Sequence, residues 1–553
     1  MNLVTELNAR AASHPERIAL IQGDKQLTFA ELNAAAAAGG AELKRHGLQP
    51  GDRVLLLVPP GIELYPILLA IFHAGLVAVF FDPTAKKSAI RKFLEDYPPA
   101  AFIASPKAHL LRLLFAPLRR VPQNFHTSKY VPFSRSWRPQ ALASSDTTPH
   151  PVESNFPALI TFTSGGTGAP KAASRSHGFL LEQHHAVASA LDYRDAEVDL
   201  STLPIFTLAT LASGLSSVIP SSDDPAKILQ ECLANNVTRC AASPGFFLKL
   251  HKADAFPPFQ RIHTGGAPVF PDFLRDLENA HPTTRATIVY GSTEAEPISH
   301  IDWQALSESD HRAMHEGKGM PVGKPVDSIA LRIIKQSPEP NCTTSIQGAR
   351  CSLSAVASRV GGSRPLERCS RFSSTPIKPS NPNPFSPDPL PARLSIEQFD
   401  QLTLTPGSIG EIVVAGKHVL KGYLDPQRDI ETKLHVGQQI WHRTGDAGWL
   451  DAQGRLWLVG RCSAIIHRPN APAIHPFGIE CAARLRCGIG TCALVEHREK
   501  VTLICEGSQD NALATRIQNE FPEIEHLHFL PTIPLDRRHN AKIDYPALGK
   551  LLK

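Results

Sequence analysis

The sequence predicts an α/β protein with a large N-terminal domain and a small C-terminal one. Three observations carry that expectation. The chain has 553 residues, too many for one ordinary core. Short apolar strands alternate with helical patterns through residues 1–330, the pattern of α/β sheets with ligands at the carboxyl ends of strands. Residues 463–553 then carry strand signals of their own, "CALVEH" (492–497) and "VTLICEG" (501–507).

The composition, 42% hydrophobic and 20% charged, is that of a soluble globular protein. A net charge of +5 spread over the chain does not call for nucleic acid or an anionic membrane as partner. The opening "MNLVTELNARAASHPERIAL" lacks the apolar core of a secretory signal. "PILLAIFHAGLVAVFFDP" (66–83) is too short to span a bilayer and reads as a buried helix to Gly75, then a buried strand. Ten scattered cysteines favour a reducing, cytoplasmic setting. "CGIGTC" (487–492) has no second half for a metal site, so its cysteines read as small buried residues. "HLLRLLFAPLRR" (109–120) reads as an ordinary basic surface helix, with a membrane surface as the alternative contact.

Strands ending in Gly/Ser/Pro turns follow in order: "RVLLLVPP" (53–60), "ALITFTS" (158–164) and "TIVYGS" (287–292). The rhythm breaks at 336–395, where Ser, Pro and Arg dominate. This reads as a disordered insertion between two strands. Strand patterns resume at "GSIGEIVVAG" (407–416), and a hinge is expected near Cys462-Ser463.

Four stretches carry chemistry. In "TFTSGGTGAPKAA" (161–173) a strand ends at Thr163. Gly165, Gly166 and Gly168 let backbone N–H groups face one anion, Ser164 and Thr167 add hydroxyls, and Lys171 adds charge. The spacing fails the Walker pattern, and a solvated glycine turn is the alternative. Glu294 in "YGSTE" (290–294) follows a strand, where a carboxylate can hold Mg2+ on a polyphosphate or simply face water. Upstream, "TGGAP" (264–268) offers a glycine pair to a flat ring. Asp446 is read in a turn before a hairpin closed by "DAQG" (451–454), capping its own backbone or accepting a ribose. Lys542 lies near the end, in "NAKID", where a lone lysine is ordinarily solvated.

Taken in order, "LTFAELN" (27–33), "TSGGTGAPK", "GGAP", "YGSTE", "RTGD", "GR" and "NAKID" resemble the acyl-adenylate-forming superfamily of acyl-CoA synthetases, luciferases and peptide-synthetase adenylation domains. The resemblance implies an N-terminal domain (1–462) of stacked α/β sheets with a small β-barrel-like part. It implies a mobile α+β lid (463–553) carrying Lys542. It implies ATP and Mg2+, with a carboxylate attacking the α-phosphorus. Thr163 and the loop Ser164, Gly165, Gly166, Thr167, Gly168, with Lys171, would hold phosphate, and Glu294 with Thr163 the metal. Tyr290-Gly291 and Gly266-Ala267 would border the adenine. Asp446 and Arg461 would take the ribose, and Lys542 would bridge α-phosphate and carboxylate.

"GGAPVFP", "YGSTEAEPI" and "DRRHNAKI" look like the olefin β-lactone synthetase branch. That branch implies a long-chain 2-alkyl-3-hydroxy fatty acid whose own hydroxyl closes a lactone, and partner enzymes of a lipid or hydrocarbon pathway. A CoA ligase is the alternative, with CoA possible but not favoured. Prolines stand in 467–480 where a ligase has glycine beside pantetheine, and Thr207 stands where many ligases carry histidine. Gly166 in place of a loop serine, and Ser463 in place of a hinge Asp, leave a nucleotide- or acyl-binding pseudoenzyme as a third reading.

Overall fold

The computed structural model describes residues 2–81, 87–139, 147–162 with the backbone of 163, 171–336, 393–468, 471–536 and 542–552. A seven-stranded sheet runs Arg135–Ser136, Gln123–His126, Ala101–Ala104, Arg53–Leu57, Val77–Phe80, Pro157–Thr163, Lys171–Ser176. All neighbours are parallel except the last pair. The 66–83 reading holds: helix Leu64–His73 is buried on every side and strand Val77–Phe80 follows. Helix Phe29–Arg45 starts in "LTFAELN" because Thr28 and Glu31 form a reciprocal capping box. It lies tight on Leu64–His73, since a Cβ on Gly39 would meet the Ala70 methyl at 2.6 Å.

A second, larger sheet has a parallel centre ending in Arg261–Gly265 and Arg285–Ser292. It continues antiparallel through Ala295–Asp302, Met320–Pro325, Leu456–Arg461, Gln439–Leu450, Gly410–Gly416 and Ile329–Ile334. This antiparallel run is open: among the described strands none closes it into a barrel. One core joins Val54 and Leu56 of the first sheet to Leu20 of the second, through Phe29, Leu32, Ile67 and Leu68 of the helices between.

Strands Ile329–Ile334 and Gly410–Gly416, which flank the predicted insert, pair antiparallel. The expected disorder lies outside the described residues. Arg393–Leu394, however, forms a short strand beside Lys433–Val436, and Ser395 caps helix Ile396–Leu402. The fold therefore resumes inside the stretch read as insert, because the capping pair Ser395/Gln398 escapes a reading based on composition.

Toward the C-terminus, Cys492–His497, Lys500–Glu506 and His526–Leu530 form a small sheet whose core holds Leu503, Ile517 and Phe521. Cys487 and Cys492 are both buried in this part, as small core residues. Helix Pro476–Cys487 joins it to the large sheets, with Arg484 on Asp272 at 2.8 Å and Gly478 against the Gly317 carbonyl.

One polar cluster sets the position of the hairpin that carries Asp446 and Arg461. Asp310 caps helix Glu308–His315 with Ser307 and receives both terminal nitrogens of Arg455 at 2.9 and 2.6 Å. Arg455 also donates to Asp451, which accepts from Trp457. Burial opposes the Asp310 charge, but Arg455 and Ser307 outweigh it and pull the carboxyl down to about 2. A depressed carboxyl contributes stability above its ordinary pKa of 3.8 and loses it as pH falls toward about 2. Arg455→Leu should cost about 3–5 kcal/mol at neutral pH, because it strands two carboxylates. Denaturant melts should show the gap between wild type and variant closing between pH 3.8 and about 2.

Candidate active site

The predicted residues fall into separate groups: Tyr290, Asp446 and Arg461 are hydrogen-bonded together, Glu294 and Lys171 both lie against Tyr423, and Lys542 pairs through its backbone with Asp536. Asp446 is opposite Arg461 in the pair Gln439–Leu450 and Leu456–Arg461. Its carboxylate accepts from Arg461 Nη1 at 2.8 Å and from the Tyr290 hydroxyl at 2.8 Å. Burial and the Asp446 charge push the Tyr290 phenol up, so it remains a donor, and the same carboxylate holds Arg461 charged. Asp446 is not in a turn, as its neighbours suggested. It lies inside a strand, because Gly445 at φ +68 and a bulge at Ala447/Gly448 absorb the bend. "DAQG" does close the hairpin, with Gly454 N donating to Asp451 O.

Gly266 adopts φ +74 with open space where a Cβ would stand, and Ala267 follows it. Gly265 packs so close to Val289 O, on the strand leading to Tyr290, that a Cβ there would overlap it. A Cβ on Gly291 would meet Ala295 O at 2.9 Å, which keeps the turn toward Glu294 tight.

Glu294 occupies that turn, between Arg285–Ser292 and Ala295–Asp302. The Tyr423 hydroxyl donates to its Oε1 at 2.7 Å, and its backbone carbonyl accepts from Leu420 N. Burial opposes its charge, but the hydrogen bonds from the Tyr423 and Ser292 hydroxyls hold the carboxyl below its usual value.

Behind it lies a group that the sequence reading missed. Lys433 is 1% exposed and donates to Leu420 O, with its Nζ 3.2 Å from His442 Nδ1. Burial lowers Lys433 to about 8, and burial with the Lys433 charge lowers His442 to about 3, leaving a neutral imidazole beside an ammonium. Lys433 and Lys171 each stand 5.5 Å from the Tyr423 ring centroid. The signal was present: a lysine opening the apolar strand Lys433–Val436, and a histidine opposite it in Gln439–Leu450.

Lys171 is not in the loop but opens strand Lys171–Ser176, where it is buried and faces Thr163 across the ladder. Helix His177–Ala190 follows, capped by Ser176. Arg175, on the same strand, donates to Thr161 Oγ1 and to Thr293 O, both at 2.7 Å. It thereby ties the hairpin that carries the glycine loop to the turn that carries Glu294. The Thr163 side chain and Ser164, Gly165, Gly166, Thr167 and Gly168 lie outside the described residues.

Lys542 pairs with Asp536: its N–H donates to Asp536 Oδ1 at 2.9 Å and its carbonyl accepts from Asp536 N at 2.7 Å. The helix Tyr545–Leu551 follows, and burial pushes the Tyr545 phenol up. Thr207 is fully buried, with its hydroxyl on Ser201, which in turn meets Tyr65 at 3.3 Å. Ser463 sits in the turn Cys462–Ala464. A cleft of about 940 Å³ lined by Trp449, Val459 and His475 contains none of the predicted site residues.

Chemically, the structure presents a carboxylate with two strong donors already fixed on it, an ionised carboxylate beside buried cations, and a lysine in the C-terminal part. The family described as "AMP-binding enzyme" matches residues 7–344. An olefin beta-lactone synthetase of Stenotrophomonas maltophilia is 28% identical, covering 98% of this chain and 96% of its own. An acyl-CoA synthetase of Alternaria alternata is 24% identical over 83% of this chain and 79% of its own. Among solved structures, ATP-bound MatB from Rhodopseudomonas palustris superposes with a TM-score of 0.73 at 18% identity, covering 100% of this chain and 98% of its own.

Proposed function

The chain belongs to the AMP-binding enzyme family and is an acyl-adenylate-forming ligase; from that premise we propose that it activates a 2-alkyl-3-hydroxy fatty acid and closes it to a β-lactone. In the first step a carboxylate oxygen of the acid attacks the α-phosphorus of ATP, and the bond to the bridging oxygen breaks to release pyrophosphate. In the second, the 3-hydroxyl oxygen attacks the acyl carbon. The bond to the phosphate oxygen breaks, AMP leaves, and the hydroxyl proton passes to solvent. The internal nucleophile has an effective concentration on the order of 10⁵ M or more when well oriented, so no outside acceptor is required.

Asp446, with Tyr290 and Arg461 already on it, takes the ribose. A carboxylate has about four acceptor sites, and two are left for the two ribose hydroxyls. Gly266-Ala267 and Tyr290-Gly291 border the adenine. Glu294 is an ionised, hard oxygen donor of the kind Mg2+ selects, so Glu294 with Thr163 fits the metal, which when bound neutralises polyphosphate charge. The loop 164–168 and Lys171 hold phosphate, and Lys542 meets the charge developing between α-phosphate and carboxylate. Residues 1–462 then form the adenylate-forming domain and 463–553 its lid.

The observation that carries the lactone reading is the end-to-end match to the olefin beta-lactone synthetase, 98% of one chain on 96% of the other. The proline-marked segment agrees with it: Ile466–Arg468 pairs with Ala471–Ile474, and Pro476 opens a helix, with no glycine before Gly478. The match to an acyl-CoA synthetase keeps a ligase as the second reading. The product decides between them. With Mg·ATP and the 3-hydroxy acid, and no CoA, mass spectrometry should find the acid minus one water. Accumulation of an acyl thioester only after CoA is added would favour the ligase.

A further inference from the structure

We propose that the surface built by residues 107–138 docks the protein on an anionic lipid bilayer. Five large apolar side chains stand in water there: Leu110, Leu113, Leu114, Tyr130 and Phe133, the most exposed being Leu113 at 73%, Tyr130 at 79% and Phe133 at 90%. The other exposed large apolar residues, such as Leu233, Ile430 and Leu551, are spread along the rest of the chain. Scattered ones need no explanation, whereas a contiguous group marks an interaction site.

The five are contiguous because two segments of the first sheet's edge meet. The helical turn Leu111–Leu114 carries three of the leucines on or beside it, and the loop into edge strand Arg135–Ser136 carries Tyr130 and Phe133. Arg112 joins the two segments, donating to Phe133 O at 3.4 Å and to Pro132 O at 3.5 Å. Arg119 braces the turn from the other side through the Leu113 carbonyl at 3.3 Å.

Phe133 is also held in the left-handed region, at φ +57. That conformation is costly for a bulky side chain, and here it turns the ring outward instead of letting it pack. His126 and Ser134 fix the loop, with Nδ1 and Oγ 2.8 Å apart, and Ser134 donates to Val131 O at 2.9 Å.

Charge selects the partner. The charge is not spread evenly, though its small total suggests so: from Tyr97 to Ser145 the sequence has seven Lys or Arg and no Asp or Glu, more positive charge than the whole chain's +5. Six of the seven are exposed around the apolar group: Lys107, Arg119, Arg120, Lys129, Arg135 and Arg138. Leucine and phenylalanine entering hydrocarbon while cations stay at the headgroups is the arrangement of an interfacial membrane anchor. Nucleic acid would use the cations and gain nothing from three leucines. The inference stands on this surface alone and not on the ligase reading.

The test is co-sedimentation of the full chain with phosphatidylcholine vesicles, with and without about one third phosphatidylglycerol. The expected result is binding to the anionic vesicles, weakened by salt, and none to phosphatidylcholine alone. Arg119→Ser/Arg120→Ser should weaken binding about fivefold per charge. Leu113→Ser/Phe133→Ser should weaken it roughly tenfold per side chain. ATP-dependent pyrophosphate release in vesicle-free solution and the melting temperature report whether each variant is folded, and the two pairs serve as checks on each other. Equal sedimentation of wild type and both folded variants, or no sedimentation of the wild type, would overturn the proposal. Wild-type self-association that the same substitutions abolish, with no vesicle binding, would also overturn it and assign the surface to a protein contact.

Discussion

Lys542→Ala should abolish turnover while ATP still binds. The lysine is the one predicted cation that comes from the small C-terminal part, and its backbone is fixed independently of its side chain. Its N–H and carbonyl are both engaged by Asp536, Leu535 and Ile543 form a bridge, and Asp544 caps the following helix. Truncation therefore removes a charge without removing the backbone contacts around it. Loss of one preorganised group facing transition-state charge lowers kcat by about 10²–10³-fold. Pyrophosphate release measures the loss, and calorimetric titration with ATP checks that the nucleotide still binds. Undiminished pyrophosphate release from the variant would remove Lys542 from the chemistry.

Asp446→Ala should act on the other kinetic parameter. In the native structure the carboxylate gathers Arg461 and Tyr290, both at 2.8 Å. Without it the two donors lose their acceptor and the ribose loses its own. Hydrogen bonds to a charged group contribute about 1.5–3 kcal/mol each, so KM for ATP should rise on the order of a hundredfold. The maximal rate should fall much less, since the ribose is bound equally in ground state and transition state. Initial rates over a range of ATP concentrations separate the two effects. An unchanged KM would mean that Asp446 only braces the strands.

Much of this was legible because short motifs encode local backbone demands. "LTFAELN" reports a capping box that exists, with Thr28 and Glu31 bonded reciprocally. The helix and strand in 66–83 follow from a fully apolar run broken at Gly75, which adopts φ +73. Tyr290 and Arg461 stand near the ends of their strands, Arg285–Ser292 and Leu456–Arg461, where the sequence pattern places them.

The misses share a cause: they depend on pairing between segments far apart in the chain. Lys171 looked like a loop residue because its neighbours are glycine and proline, but its partner across the ladder is Thr163. Asp446 looked like a turn residue because Gly445 precedes it, and only the partner Arg461 shows that the strand continues. Lys433, His442 and Tyr423 form one group with Glu294 across more than a hundred residues; a lysine and a histidine in apolar strands mark two members, but only the fold joins them to Glu294.

The most direct measurement counts pyrophosphate released per enzyme from Mg·ATP and a long-chain 2-alkyl-3-hydroxy acid, with CoA omitted. The account predicts many turnovers, because the substrate supplies the nucleophile that frees AMP. A single equivalent that stops until CoA is added would contradict it.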